Sequence, residues 1–373
     1  MSTVNISQIH LTFPRYSYYI EEIVDDLFSD KLDEEVKKFC KMKLGIDRVY
    51  KTYDLSKIKV EDTTYLLPDI RLNDMYVESA KRVLSASKRK PRDIGYLITI
   101  NDNQQNLDPA PTVEITTRLG LNKDVRTQNF QGMACSSFSE ALRNAAGHFA
   151  LGYEGDVLVL IGTYYTNWFL DIIKQIDYIS IKNRKALNNF IYFLIFSDVA
   201  AAVLLSQSKS DRSLAQIDIK TISSRKDTSV NSYKKAIIKL APDNLHRITF
   251  DMDVNSKILK KKVAQLSLEN ISYIKQKFPK DFKHIKCWGL HSAGNVFVDY
   301  VREKCNIEKE KSKLTYDLMK ETGNTGAASS LQFIKESVGQ KILKANEIGG
   351  IVDYGWEGAN AFLYTSGDNA QIS

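Results

Sequence analysis

Read from its N-terminus, the chain alternates between two kinds of apolar spacing. The stretch "DMYVESAKRVLSAS" (74–87) places apolar residues three and four apart, which predicts an amphipathic helix. "DIGYLITI" (93–100) follows as a short apolar strand. "TVEITTRLGL" (112–121) returns to helical spacing and is expected to stop near Gly120. "VRTQNF" is extended and leads into "GMACSSF". "SSFSEALRNAAGHFALG" (136–152) is again helical and ends at Gly152. "DVLVLIGT" (156–163) and "VAAAVLLSQ" (199–207) are unbroken apolar runs, as expected of strands buried on both faces.

Past residue 208 the pattern lapses. "SKSDRSLAQIDIKTISSRKDTSVNSYKK" reads as loop and as the junction between two halves, residues 1–208 and 209–373. The alternation then resumes. "SKILKKKVAQLSLENISYIKQKF" (256–278) predicts a helix, "IKCWGLH" (285–291) a strand and "AGNVFVDYVREKC" (293–305) a helix. "AASSLQFIKESV" (327–338) predicts a further helix, and "EIGGIVDYGWEGANAFLYTS" (347–366) two strands around a glycine turn. The class is α/β with buried strands. No strict repeat is visible, yet each half uses one order: strand, small-residue turn with a reactive side chain, helix.

Composition narrows this picture. A chain of 373 residues fits two domains or two similar halves. Its 43% hydrophobic and 26% charged residues are ordinary for a globular enzyme with a large core. Cys40, Cys135, Cys287 and Cys305 show no CxxC or regular spacing, so neither a disulfide framework nor a zinc site is expected, and a reducing cytoplasmic setting fits. The N-terminus lacks a basic segment followed by an apolar run, so no secretion signal is expected. The most apolar window, "FIYFLIFSDVAAAVLL" (190–205), is too short for a bilayer and is interrupted by Asp198; it reads as core, with no membrane role.

The net charge of +7 is spread along the chain apart from "KILKKKVAQ" (257–265). That run is either a solvated helix face or a landing surface for an acidic or phosphate-bearing partner. No nucleic-acid motif or interleaved aromatic residues accompany it, so nucleic acid is not the expected partner.

Candidate chemistry starts at Cys135, which follows an extended segment and precedes a helix. The partial positive charge of a helix N-terminus favours thiolate over thiol. A small buried hydrophobe has the same sequence appearance, so taken alone this cysteine leaves both readings open. Two later turns change the balance. "WGLHSAGN" places His291 at the end of an apolar strand, and "ETGNTGAASS" places Asn324 in a small-residue turn before a helix. All three residues thus fall at strand ends or pre-helix turns, the edge at which open α/β sheets bind ligands. There His and Asn can donate hydrogen bonds to a carbonyl that becomes an oxyanion, and His can manage a proton near the thiol.

"GMACSSF", "HSAGN", "GNTGAASS" and "IGGIVDYGWEGANAFLY" together resemble the thiolase-fold condensing enzymes, nearest to ketoacyl synthase III and its relatives among type III polyketide synthases. "RLNDMYVESAKRVL", "PTVEITTRLGL" and "FSDVAAAVLL" fall where that family has comparable blocks, so the resemblance covers nearly the whole chain in motif order. It implies a duplicated, five-layered αβαβα fold and a homodimer. Cys135 would take an acyl group from a thioester. His291 and Asn324 would bind the carbonyl of a second thioester and stabilise its enolate. The Cys135 N–H and the loop from Gly355 to Gly358 would form the oxyanion hole for the acyl group. No bound cofactor or metal is implied. Substrates would arrive as phosphopantetheine thioesters on acyl carrier protein or coenzyme A, with Lys260, Lys261 and Lys262 as candidate carrier contacts. Asp108 and Glu114, ahead of the nucleophile, resemble the acidic position, in a segment that approaches the partner subunit's tunnel, that some relatives use as a base; the simpler and favoured reading is a turn-forming Asp108 and a Glu114 in the first turn of a helix, where the dipole favours it.

The chain also departs from that family. "FSDVAAA" has Ser197 and Val199 where glycines are usual, and Trp356 and Glu357 add bulk and charge to a loop that is commonly richer in glycine. The 208–255 region has no evident counterpart. These departures point to specialised metabolism, a polyketide or fatty-acid-derived product, with cyclisation to a pyrone or resorcinol-type ring as one outcome. Transfer of the acyl group to an amine or hydroxyl, and an inactive partner subunit of a condensing complex, are the alternatives. His148 is expected to be a packed or a surface histidine, and His10, His246 and His284 have no metal-ligand spacing. Ser136 and Ser137 fit helix caps better than nucleophiles, lacking flanking glycines on both sides.

Overall fold

Strands whose every residue is apolar must be covered on both sides, and this requirement organises the molecule. A computed structural model describes residues 3–59, 68–101, 109–132, 135–166, 169–170, 173, 176–207, 213–226, 236–240, 246–250 and 256–367. The chain opens with β1 (Thr3–Thr12), β2 (Tyr16–Tyr19), α1 (Glu34–Lys43) and β3 (Arg48–Lys51). Next come α2 (Leu72–Ala86), β4 (Ile94–Asn101), α3 (Pro111–Leu119) and β5 (Arg126–Gln131). They are followed by α4 (Phe138–Ala150), β6 (Asp156–Thr163), α5 (Arg184–Ile195) and β7 (Val199–Ser206). Short strands β8 (Ala215–Asp218) and β9 (Ser223–Lys226) precede the paired β10 (Ala236–Leu240) and β11 (His246–Phe250). Then come α6 (Ser256–Lys277), β12 (Ile285–Leu290), α7 (Asn295–Lys304) and α8 (Lys313–Thr322). The last elements are α9 (Ala328–Gly339), β13 (Ile348–Gly355) and β14 (Gly358–Ser366).

The strand pairing repeats itself. β1 runs antiparallel to β7, β7 antiparallel to β6, β6 parallel to β4, and β4 parallel to β5. In the second set β8 runs antiparallel to β14, β14 antiparallel to β13, and β13 parallel to β12. The sets join through the antiparallel pair β1–β8. This is a duplicated topology in which β5 has no counterpart beyond β12 among the described residues.

Side-chain alternation then dictates the layers. On β7, Val199, Ala201, Val203 and Leu205 face one cluster with α4 and α9, while Ala200, Ala202 and Leu204 face another with α2 and α3. On β14, Phe362 and Tyr364 face α4 and α9, whereas Ala361 and Leu363 face a third cluster with α6 and α7. Helices α4 and α9 are thus the central layer between two strand sets, and outer helices cover both remaining faces: αβαβα. Leu204 is fully buried, and Leu204→Ala is expected to cost ~2–5 kcal/mol of stability.

Most predicted elements lie where the apolar spacing puts them. Gly120 ends α3 with φ +65°, a left-handed cap suited to glycine. The window 190–205 is core, split between the end of α5 and β7. The polar stretch after 208 is not all loop: β8 and β9 both pair with β14. Four-residue strands such as "AQID" and "SSRK" contain too few apolar positions to show a period of two. Among the described residues, no helix is long and apolar enough to cross a membrane.

Candidate active site

The turns that follow parallel strands β5 and β12, and the turn between α8 and α9, bring three polar side chains to one cavity. Cys135 is buried and precedes Ser137, the N-cap residue of α4, so it lies in the positive field of that helix. The carbonyl of the next residue, Ser136, accepts a short hydrogen bond from Asn360 Nδ2 on β14.

His291 ends β12. Its N–H donates to the Val352 carbonyl at 3.0 Å, and its carbonyl accepts the Tyr354 hydroxyl at 2.8 Å. The imidazole stands edge-on to the Tyr354 ring, with centroids 5.3 Å apart, and its Nδ1 is 3.1 Å from Ser329 Oγ on α9. Burial pushes its pKa down to about 3, so the ring is neutral at ordinary pH. A neutral ring has one N–H: when the Ser329 hydroxyl donates to Nδ1, that N–H sits on Nε2, and when Nδ1–H donates to Ser329 Oγ, Nε2 is an acceptor.

Asn324 occupies the turn into α9. Gly323 before it has φ +65°, and a Cβ there would lie 2.8 Å from the Ile195 carbonyl oxygen, so the turn needs glycine. Asn324 N–H donates to that carbonyl at 2.7 Å, and its own carbonyl accepts Ser197 N–H at 3.0 Å. Its side-chain Oδ1 accepts Gly326 N–H at 2.9 Å, which directs Nδ2, a pure donor, toward the cavity.

The cavity has a volume of about 170 Å³. Cys135, His291 and Asn324 line it together with Tyr192, Phe196 and Tyr354. Gly355 also lines it, but Gly358 does not: it packs on β9, where an added Cβ would meet the Arg225 carbonyl oxygen at 2.1 Å. Trp356 and Glu357 form the two-residue turn between β13 and β14. Trp356 lines the cavity against Tyr192, with ring centroids 6.0 Å apart, while Glu357 turns away to Lys226 at 3.2 Å.

The structure does not bring Glu114 to this cavity. Its carboxylate accepts from Asn73 Nδ2 at 2.6 Å and Arg118 at 2.9 Å, within an ion-pair group that includes Arg71 and Asp74. Asp108 lies outside the described residues. His148 is packed between Tyr96 and Tyr153, with ring centroids at 5.4 and 5.5 Å. Cys40, Cys287 and Cys305 are buried, and burial pushes each thiol up, to about 12, 11 and 12. His246 falls in β11, and His10, in β1, is not among the residues that line the cavity.

Reading the sequence alone missed the supporting residues. Ser329 was within reach, because it follows Asn324 by five residues in the same motif. Asn360 and Asp353 carried no signal. Asp353 is a fully buried carboxyl beside Asn360 in strand register; Ser330 Oγ donates to its Oδ2 at 2.6 Å, and Oδ1 has no partner among the described residues. Burial pushes its pKa up to about 7.

No protein-family model matches the chain. The chain is 25% identical over 298 residues to a beta-ketoacyl-[acyl-carrier-protein] synthase III from Trichodesmium erythraeum, covering 79% of this chain and 82% of that one. It is 23% identical over 256 residues to the protein of that name from Clostridium botulinum, covering 68% and 72%. Among solved structures, 3-oxoacyl-(acyl carrier protein) synthase III from Xanthomonas oryzae superposes with a TM-score of 0.77 at 15% identity, covering 98% of each chain. OleA from Xanthomonas campestris gives 0.75 at 15% identity over 98% of each, and a tetronic acid condensing enzyme 0.75 at 13% over 97% of this chain and 100% of its own. The fold is therefore that of the thiolase-fold condensing enzymes of the ketoacyl synthase III type, as the resemblance of the three turns implies.

Proposed function

We propose that the protein is a ketosynthase that joins a cysteine-bound acyl group to a second acyl thioester by Claisen condensation. The observation that carries this reading is the convergence of Cys135, His291 and Asn324 on one cavity, each from a different turn. Cys135 thiolate attacks the donor thioester carbonyl, the carrier thiolate leaves and takes up a proton, and an acyl-enzyme forms. The second thioester then enters. Nε2–H of neutral His291 and the Asn324 amide donate to its carbonyl oxygen. They stabilise the enolate formed by loss of carbon dioxide or of an α-proton. The enolate carbon attacks the acyl carbonyl, the C–C bond forms, and Cys135 leaves as thiolate. His291, held neutral, serves as a donor here rather than as a cation.

Substrate delivery by acyl carrier protein or coenzyme A fits the rim of the site. Lys43 lines the cavity, as do Leu259 and Val263 of α6, the helix that carries Lys260, Lys261 and Lys262. The basic run therefore borders the entrance, where an acidic carrier or a phosphate would approach. A homodimer fits as well, because β5 is an edge strand paired only with β4 among the described residues. The likeness to a tetronic acid condensing enzyme supports a place in specialised metabolism.

Single-turnover assays test the assignment. Preformed acyl-enzyme is mixed with malonyl or acyl thioester and the β-keto product is followed by mass spectrometry. Product from wild type, with acyl-enzyme that persists unreacted in Asn324→Ala, supports condensation. Acyl transfer to an added amine or alcohol with no β-keto product would replace it with the simpler transferase reading.

A further inference from the structure

A lysine is buried on a strand outside the main sheet, and the chemistry just described makes no use of it. Lys51, the last residue of β3, is 1% exposed. Its Nζ donates to the carbonyls of Phe193 at 2.5 Å and Phe196 at 2.7 Å, and lies 4.5 Å from the centre of the Phe193 ring. Those carbonyls belong to the C-terminal end of α5, where unpaired carbonyls carry partial negative charge. Burying an ammonium group is costly unless something needs it there.

What it holds, through Phe193 and Phe196, is the end of α5, and the residues on either side of Phe196 hold Asn324. Ile195 O and Ser197 N–H bracket the Asn324 backbone at 2.7 and 3.0 Å. Ser197 Oγ, at a position where glycine is usual in the resembling family, accepts Tyr50 N–H at 2.9 Å. Asp198 N–H donates to the Tyr50 carbonyl at 2.9 Å. The Asp198 carboxylate accepts Thr52 N–H at 2.9 Å, Thr52 Oγ1 at 2.8 Å and Thr166 N–H at 3.1 Å. Residues 50–52 thus hold Phe193, Phe196, Ser197 and Asp198, and Ile195 and Ser197 hold the Asn324 backbone at two points. Each of these hydrogen bonds ends on residues 50–52, 166, 193–198 or 324.

We propose that Lys51 is a positioning residue for Asn324, acting through the end of α5 and the 195–197 strap, and that Ser197 is a lesser member of the same clamp. This rests on the ketosynthase reading above. Lys51 touches no substrate; it fixes the donor that meets the second thioester. Its loss should slow the condensation half-reaction and spare the acylation half-reaction.

The test is a kinetic double-mutant cycle read on both half-reactions. Lys51→Met keeps the length and apolar stem and removes the donors. We expect acylation of Cys135 within about 2-fold of wild type and condensation slowed about 10–30-fold. In an Asn324→Ala background, Lys51→Met should change the residual condensation by less than about 2-fold, since the group it positions is gone. Ser197→Ala, a milder change that keeps the charge, should slow condensation about 3-fold and keeps the question answerable if Lys51→Met does not fold. Equal losses in acylation and condensation, or a full Lys51→Met loss persisting without the Asn324 amide, would overturn the proposal. Failure of wild type to form any acyl-Cys135 or β-keto product would instead overturn the ketosynthase reading itself, and with it this one.

Discussion

The Cys135 turn and the Asn324 turn stand at matching places, each leading into one of the two central helices, yet they are held in different ways. The Asn324 turn is gripped by backbone: Ile195 O, Ser197 N–H and a glycine at φ +65° that no other residue fits without meeting the Ile195 carbonyl. The Cys135 turn has its neighbouring carbonyl held by a side chain, Asn360, from 224 residues away. In each case the grip comes from the other half of the duplicated topology. In the proposed reaction Asn324 only donates hydrogen bonds, and a backbone grip suits the fixed geometry that electrostatic stabilisation of an oxyanion requires. Cys135, which in that reaction attacks, carries an acyl group and leaves again, sits beside a carbonyl held by a side chain.

Ways to break this contrast run from large effects to small. Cys135→Ser and Asn324→Ala should separate the two half-reactions. The first abolishes the acyl adduct. The second leaves acylation intact and lowers condensation about 10²–10³-fold, the usual cost of one oxyanion donor, as measured by rapid quench of preformed acyl-enzyme. If Asn324→Ala impaired acylation as strongly as condensation, the two turns would not be distinct in role.

Asn360→Ala sharpens the other side. It frees the Ser136 carbonyl, and the rate of acylation, or of Cys135 alkylation by iodoacetamide, should fall about 10-fold while Asn324-dependent steps change little. An unchanged alkylation rate would show that the turn holds without it.

Asp353, beside Asn360, supplies a pH test. Its folded pKa of about 7 lies above the ordinary value of 3.8, so the folded state binds the proton more tightly and stability is lost as pH rises from about 4 to 7. In Asp353→Asn this loss is absent. The melting-temperature advantage of the variant over wild type should therefore grow across pH 4–7 and level off above it. His291, with its pKa near 3, gives the opposite slope over pH 3–6.5, but it is common to both proteins and cancels in the difference. A difference that stays constant with pH would contradict a buried, titrating Asp353.

The smallest effect expected is at the rim. Lys261→Glu should raise the carrier-protein KM about 2–5-fold at low salt and hardly at all at high salt, because an exposed charge acts through a screened field. No salt dependence would remove α6 from the carrier's approach.

The two turns were legible in the sequence because each is a short run of small residues with one polar side chain just before a helical pattern: "GMACSSF", "GNTGAASS" and, with them, "HSAGN" at the end of an apolar strand. The layers were legible for the same reason, since "VAAAVLLS" can only be a strand covered on both faces. What holds the turns was not. Lys51 reads as one more lysine in a four-residue strand, and its partners lie 142 and 145 residues on. Asn360 and Asp353 occupy strand positions where nothing local marks a polar residue as buried. The strands β8 and β9 escaped because their stability comes from pairing with β14 rather than from their own polar sequences. Local patterns placed the reactive groups; the contacts that fix them are long-range, and no local pattern encodes those.

The most direct measurement is the intact mass of the protein after incubation with a panel of acyl-coenzyme A and acyl-carrier-protein thioesters, followed by addition of the second thioester. The account predicts a mass gain equal to one acyl group, absent in Cys135→Ser, that disappears on adding the second thioester as a β-keto product forms, and that persists in Asn324→Ala. A folded protein that gains no acyl mass from any donor, or gains it equally in Cys135→Ser, would contradict it.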